Sequence, residues 1–361
     1  MGDKSAVSEE LPYPVSSDLT KVPELLKEYG VVVIPNVFTN EECNSWMREI
    51  LLNMEAISGN NINHEDPETW TEDKLPPQRR YGLYNEHILN NLKPVWEIRR
   101  DPRMKEIFEP VYSKLKGKKV DEFVCSIDGI NIQPNISREE EGNDWPHCDQ
   151  TERDDIFKCV QGQVVLTNSS ASFRATPKSH KYFKEVMKAA DIPDSSMNFG
   201  PLSHHVEKIT SSVISPNKLS FQVPIQAEKG SVILWFSTTI HSSKSISRKE
   251  VPTPDDPFKG WRGVVYVCYR PRSEFNTQQL IALQNCIEEN VGTSHWAKPI
   301  MPAGTNKVHP LPDMQKVIQN PKLVYDITNF SPEQDCFLIN AKMEEDNAKI
   351  EEDTKRRCAI Q

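Results

Sequence analysis

Apolar and polar positions along this chain fall into three stretches of different rhythm. Up to about residue 120, apolar side chains recur at helical spacing. Ser17-Asp18 offers a cap for a helix running to about Tyr29, and Gly30 breaks it before Val31-Val32-Val33-Ile34-Pro35, an apolar run that predicts a strand. Thr39-Asn40-Glu41-Glu42 offers the next N-cap, ahead of a helix in which Trp46 and Ile50 recur on one face. Residues 56–80 are polar and Pro-bearing and read as a long loop, followed by helices near 86–98 and 101–116. From about 121 the pattern changes to short β-type runs at 120–135, 147–149, 160–166, 219–223, 231–236 and 262–269, separated by turn residues, which suggests a sandwich or barrel. After Arg272 a helix is expected over 277–290, then a Pro-rich loop over 298–312 and a helix from Ser331 into a charged tail. The expected organisation is a disordered lead-in over 1–17, a main domain over 18–272 (helical part 18–120, β core 121–272) and a helical extension over 273–361.

Composition narrows the function classes. The 361 residues, 37% hydrophobic and 26% charged with Pro 27 against Gly 14, describe a globular chain rich in loops. A net charge of -9 provides no basic field to hold a phosphate backbone, so nucleic-acid binding is not expected. The eight Cys include no Cys-x-x-Cys pair, which favours reduced thiols and a cytoplasmic location over a disulfide framework or a structural zinc site. No apolar run reaches the roughly 18 residues of a membrane span, and the N-terminus lacks a signal-peptide core. At the other end, Lys355-Arg356-Arg357-Cys358-Ala359-Ile360-Gln361 fits a farnesyl-type prenylation box. A single lipid on Cys358, offset by Glu351-Glu352-Asp353, would give only weak, reversible membrane association. The competing reading is a charged tail that ends in Cys by chance.

Candidate chemistry centres on Trp145-Pro146-His147-Cys148-Asp149-Gln150-Thr151. On a strand, His, one spacer and Asp aim both side chains the same way. An imidazole and a carboxylate are two corners of the facial triad that binds non-heme Fe(II) and leaves the opposite metal face open. A second copy, His64-Glu65-Asp66, lies in a polar stretch without alternation and reads as loop. The third corner falls to His241, at the end of the apolar strand that begins at Gly230; His204 and His205 compete but have no strand to aim them. In Trp261-Arg262-Gly263-Val264-Val265-Tyr266-Val267-Cys268, alternation puts Arg262 on one face with Val264, Tyr266 and Cys268, inside a core strand. A buried guanidinium needs an anion, either a protein carboxylate or a small dicarboxylate held by its fork. With an iron triad nearby, 2-oxoglutarate is the dicarboxylate to expect.

The order His-x-Asp, then Thr176-Pro177-Lys178-Ser179-His180, then the strand from Gly230 to His241 followed by Ser243, then a strand Arg, resembles the phytanoyl-CoA dioxygenase-like family of Fe(II)/2-oxoglutarate oxygenases over roughly residues 25–272. The resemblance implies a mainly β core with flanking helices, a double-stranded β-helix (jelly roll, cupin-like). It implies that His147, Asp149 and His241 bind iron, that Arg262 holds the distal carboxylate of 2-oxoglutarate, that Ser243 assists and that Gln163 borders the co-substrate. The activity it implies hydroxylates a small organic or lipid-like substrate and releases succinate and CO2, with ascorbate as a companion in assays. Two departures stand out: Lys178 replaces the usual Gly, and Arg262 follows His241 by twice the usual gap. A looped-out hairpin over the polar, Pro-rich insert 244–260 explains the gap, with Arg248 as the fallback clamp. The rival readings are a catalytically inactive jelly roll that keeps its metal as a pin and a zinc hydrolase using the same ligands.

Overall fold

Gly30 sets the first corner of the fold. It closes helix α1 (Val22–Tyr29) in the left-handed region at φ 75°, returning its N–H to Leu26, and a Cβ at this position would collide with His180 Nδ1. The computed structural model describes residues 11–298 apart from 77, 79–81, 86, 137–144, 170–172, 245–248 and 289–291. Helix α1 begins with Pro23 in its first turn and not at Ser17-Asp18; Asp18 instead accepts from Thr20 N at 3.1 Å within a tight turn. Of the expected disordered lead-in, 1–10 fall outside the described residues, while 11–17 lie along a sheet. Tyr13 is buried there and its hydroxyl accepts from Gln226 N, while Val15 bridges Val33.

The remaining described helices are α2 (Asn40–Ile57), α3 (Lys93–Arg100), α4 (Pro102–Lys116), α5 (Phe183–Ala189), α6 (Val206–Ile209) and α7 (Thr277–Glu288). The capping residue of α2 is Thr39, which exchanges bonds with Glu42 in both directions. The strands are β1 (Val31–Ile34), β2 (Leu83–Tyr84), β3 (Phe123–Cys125), β4 (Ile130–Gln133), β5 (His147–Cys148), β6 (Val160–Val165), β7 (Phe173–Ala175), β8 (Gly200–Pro201), β9 (Val223–Pro224), β10 (Val232–Phe236), β11 (His241–Ser243), β12 (Arg262–Tyr266) and β13 (Tyr269–Pro271). They build a six-stranded sheet in the order β1-β10-β6-β12-β4-β2 and a five-stranded sheet in the order β8-β5-β11-β7-β9, with β13 on β3 beside them. These neighbours all pair antiparallel, which makes the core a jelly roll.

Period two divides the larger sheet. Val32, Ile34, Val164, Leu234 and Val265 point outward into one apolar core with Leu26, Ile50 and Phe108 of α1, α2 and α4. Val33, Val165, Ile233 and Trp235 point inward and meet Phe173, Ala175 and Ile225 from the smaller sheet. The smaller sheet is covered in turn by α5 and α6 through Phe183, Val186, Met187 and Ile209.

Several expectations shift. The strand expected over 219–223 is reduced to β9, because 219–222 turn, with Gln222 at φ 50°. The helix expected near 86–98 divides into a 3-10 turn over His87–Asn91 and α3, which has Pro94 in its first turn. The 262–269 run breaks after Tyr266, and Cys268 leaves the inner face to pack with Cys159 and Trp296. Helices α5 and α6 and strands β2, β7 and β8 were not expected. The tail from 299, with the expected helix from Ser331 and the Cys358 box, lies outside the described residues.

His180 lies fully buried behind Gly30, its Nε2 3.0 Å from Lys27 O. Burial pushes its imidazole from the ordinary 6.5 down to about 4. A histidine held neutral in the folded state contributes stability that is complete above pH 6.5 and is lost as the pH falls through about 4. Denaturant titrations across this window should lose roughly 3 kcal/mol of unfolding free energy from this residue. His180→Gln should flatten the dependence; an equally steep loss in that variant would place the acid sensitivity elsewhere.

Candidate metal centre

Three side chains converge because two short strands pair. His241 of β11 stands directly opposite His147 of β5 in the antiparallel register. Asp149 follows β5 immediately, and its N–H is held by Ser237 O at 2.8 Å, in the turn that joins β10 to β11. His241 was expected at the end of the 231–236 strand; it opens a strand of its own in the opposite sheet, and that change of sheet aims it at Asp149. The ligand atoms of His147, Asp149 and His241 lie within 4.8 Å of one another. His147 Nε2 is 3.5 Å from Asp149 Oδ1, and His241 Nε2 is 3.1 Å from Asp149 Oδ2.

The donor set fits a cation. His147 Nδ1 is 2.9 Å from Trp145 O and His241 Nδ1 is 2.9 Å from Thr239 O. A carbonyl can only accept, so each Nδ1 carries the proton and each Nε2 turns a lone pair toward the carboxylate. Two lone pairs and an anion that converge need positive charge between them. Donors at right angles around one ion at about 2.1 Å stand about 3 Å apart, which matches the separations found. Burial, reinforced by His241, pushes His147 down and favours its neutral form. Burial works against the charge on Asp149, yet positive charge on His147, His295 and His241 holds its carboxyl well below the usual range, a role that would pass to a cation once the two imidazoles turn their lone pairs to it.

An outer ring fixes Asp149. Gln161 of β6, in the other sheet, donates to Oδ2 at 2.8 Å. From beyond α7, Trp296 Nε1 donates to the Asp149 carbonyl at 2.9 Å, and His295 Nε2 lies 3.2 Å from the same oxygen. The segment that carries them is fastened by Thr293 and Ile127, which exchange two bonds of 2.8 Å, and by Arg270 over the Trp296 ring at 4.8 Å. Sequence reasoning missed His295 and Trp296. The only available signal was an adjacent His-Trp pair in a polar stretch, and no spacing rule ties such a pair to a strand 146 residues earlier.

The other candidates divide. Arg262, Gln163 and Val264 line a cavity of about 860 Å³, open to the surface beside Leu11 and Val15, together with Val165, Phe173 and Ile233. The triad itself lies outside that lining, but Phe173 links the two, its ring 5.7 Å from that of His241. Arg262 is buried and donates from Nε to Asn131 Oδ1 at 2.9 Å, and it also hydrogen-bonds Tyr266. Gln163 is buried opposite Ile233 and Tyr266. Ser243 pairs with Phe173 at the far end of β11, two positions from His241. Arg248 lies outside the described residues. His64 sits in a loop with Nδ1 2.7 Å from Glu55, and His204 and His205 end a 3-10 turn, so none of the three joins the site. Lys178, where the family usually has Gly, holds a left-handed φ of 68°.

An antiparallel jelly roll with two His and one carboxylate gathered in its smaller sheet belongs to the metal-dependent enzymes of the oxidoreductase type. Residues 26–249, more than half the chain, match the phytanoyl-CoA dioxygenase (PhyH) family, and the chain belongs to that family. It is 23% identical over 274 residues, 74% of this chain and 82% of the relative, to Ava biosynthesis cluster protein O of Aspergillus versicolor. Its fold is similar to that of the GlcNAc-inducible gene 2 product of Candida albicans (15% identity, TM-score 0.53, 97% of this chain and 89% of that one). A hypothetical protein of Escherichia coli is similar to a like degree (14% identity, TM-score 0.53, 78% of each chain).

Two predictions follow from this geometry. His147→Ala, Asp149→Ala and His241→Ala should each abolish Co(II) binding as read from its ligand-field absorption, while His64→Ala and His204→Ala bind as the parent does. Trp296→Phe keeps the packing but removes the donor to Asp149 O, and should weaken Co(II) binding by roughly tenfold or more. Unchanged affinity would reduce the clasp to a packing role.

Proposed function

We propose that this protein is an Fe(II)- and 2-oxoglutarate-dependent dioxygenase that hydroxylates a small organic or lipid-like substrate and releases succinate and CO2. The observation that carries the reading is the pairing of an inward-facing His147, Asp149 and His241 triad with Arg262, buried in the cavity that begins beside it. Bound at the triad, iron with 2-oxoglutarate supplies the activation of dioxygen. The chain's own residues bind, orient and exclude water. His147, Asp149 and His241 would hold the metal through two imidazoles and one carboxylate, the donor set suited to non-heme Fe(II). Arg262 offers a planar fork suited to the distal carboxylate of the co-substrate, and Asn131 and Tyr266 fix where that fork points. Gln163 stands beside it as a neutral hydrogen-bonding group. Phe173, Ile233, Val165 and Val264 supply apolar walls beside Arg262 within a lining that also carries polar groups such as Thr167, Ser231 and Lys244. Asp149 occupies the position that halogenating relatives of such enzymes leave vacant, which favours hydroxylation.

The test is succinate formation from 2-oxoglutarate with Fe(II) and ascorbate, in air and under nitrogen. Succinate should form in air alone. No turnover in air would leave a jelly roll that keeps its metal as a pin, and hydrolytic activity that persists under nitrogen with zinc would replace the oxygenase reading outright. Arg262→Lys retains charge and loses the fork, so the 2-oxoglutarate concentration for half-maximal rate should rise tenfold or more, from a loss of about 1.5 to 3 kcal/mol. An unaltered requirement would remove Arg262 from the co-substrate site.

A further inference from the structure

Beside the triad, large apolar side chains stand in water on fixed backbone. Met197 is 54% exposed and Phe199 is 42% exposed. The Phe199 ring lies 5.1 Å from that of His147, and Trp145 stacks on the same imidazole at 4.2 Å with an interplanar angle of 7°. Trp145 and Phe199 are 6.4 Å apart, so two neighbouring aromatic rings lie against one metal-site histidine. The segment that presents Met197 and Phe199 is tied down. Met197 O accepts from Thr151 N at 3.1 Å and from Thr151 Oγ1 at 3.0 Å, the same hydroxyl bonds Ser195 O at 2.8 Å, and β8 pairs with β5 directly after Phe199. Burying such a side chain is worth about 1.5 to 3 kcal/mol, so leaving two of them exposed on a rigid support points to a ligand that covers them.

Charge narrows the ligand. The adjoining turn carries Glu152, Asp154 and Asp155, and Asp194 accepts from Arg153 N at 3.1 Å. Lys158 pairs with Glu152 and cancels it, and the single guanidinium of Arg153, which bonds Ile192 O, leaves the carboxylates of Asp154, Asp155 and Asp194 in excess. A polyanion approaching this rim meets repulsion, whereas a hydrocarbon surface meets rings.

We propose that Trp145, Met197 and Phe199 form the landing surface for an uncharged, predominantly hydrocarbon substrate, and that the acidic rim turns away polyanionic conjugates such as coenzyme A thioesters. This deepens the oxygenase reading and rests on it. The experiment titrates the full-length chain, loaded with Zn(II) or Co(II), with N-phenyl-1-naphthylamine, an uncharged aromatic probe whose emission rises on binding. The parent chain should bind it, and Co(II) should quench the bound probe relative to Zn(II) because the surface adjoins His147. Phe199→Asp and Met197→Ser should each weaken binding by about tenfold. Leu52→Asp, at a comparably exposed position (47%) on α2 outside the larger sheet, should bind as the parent does, and free coenzyme A should displace nothing. Absence of probe binding, unchanged affinity in Phe199→Asp, an equal loss in Leu52→Asp, no Co(II) quenching, or displacement by coenzyme A would each overturn the proposal. Succinate formation measured on the same preparation after its metal is exchanged for Fe(II) separates the two readings. Probe binding beside Co(II) without succinate sinks the oxygenase and leaves the surface, and the reverse sinks the surface alone.

Discussion

The carboxylate of Asp149 sits where burial alone would strip its charge, and the groups that keep it ionised tie the molecule together. Two of them, His147 and His241, come from adjacent strands of the smaller sheet, and Gln161 reaches across from the larger one. The same anion therefore stitches the sheets and gathers the lone pairs that a metal needs. Everything else near the site serves to keep this one residue in place, from the Ser237 carbonyl that holds its N–H to the indole that holds its carbonyl.

Much of this could be read from local pattern. Alternation alone puts Arg262 and Val264 inside, and the cavity lining has both. Gly30 and Thr39 mark helix ends because left-handed closure and side-chain capping act over a few residues. Of the smaller sheet, β5 and β9 overlap expected strands, and β7 and β8 escaped notice for a physical reason: strands of two or three residues are too short for a period to show, and long-range pairing creates them where local preference does not. Phe183, Val186 and Met187 do carry helical spacing, but one turn of it amid charged residues is a weak signal. His295 and Trp296 are joined to the site by contact alone, so no rule of spacing could have found them.

The doubled gap between His241 and Arg262 also has a physical account. Lys229, with a side chain only 2% exposed, places its ammonium 2.8 Å from Asp256 and 3.0 Å from Asn44 of α2. This buried pair anchors the insert at its Thr253–Asp256 bridge, and Gly260 N bonds Asn168 O as the chain re-enters. Most of the described insert residues over 249–260 lie at the surface, and β12 meets β4 and β6 in regular register, as it would after a short connection.

The clasp on Asp149 bears on the order in which the site is completed. Its two bonds span 146 and 147 residues, while the triad itself closes over 92. Closure entropy grows with the length of chain between partners, and contacts this remote form only after the intervening elements are in place. On a ribosome, which feeds domains out N-terminal end first, all three ligands emerge before the residues that fasten the middle one. The two donors to the Asp149 carbonyl are thus the last part of the site to be synthesised, and the clasp cannot close before Trp296 arrives.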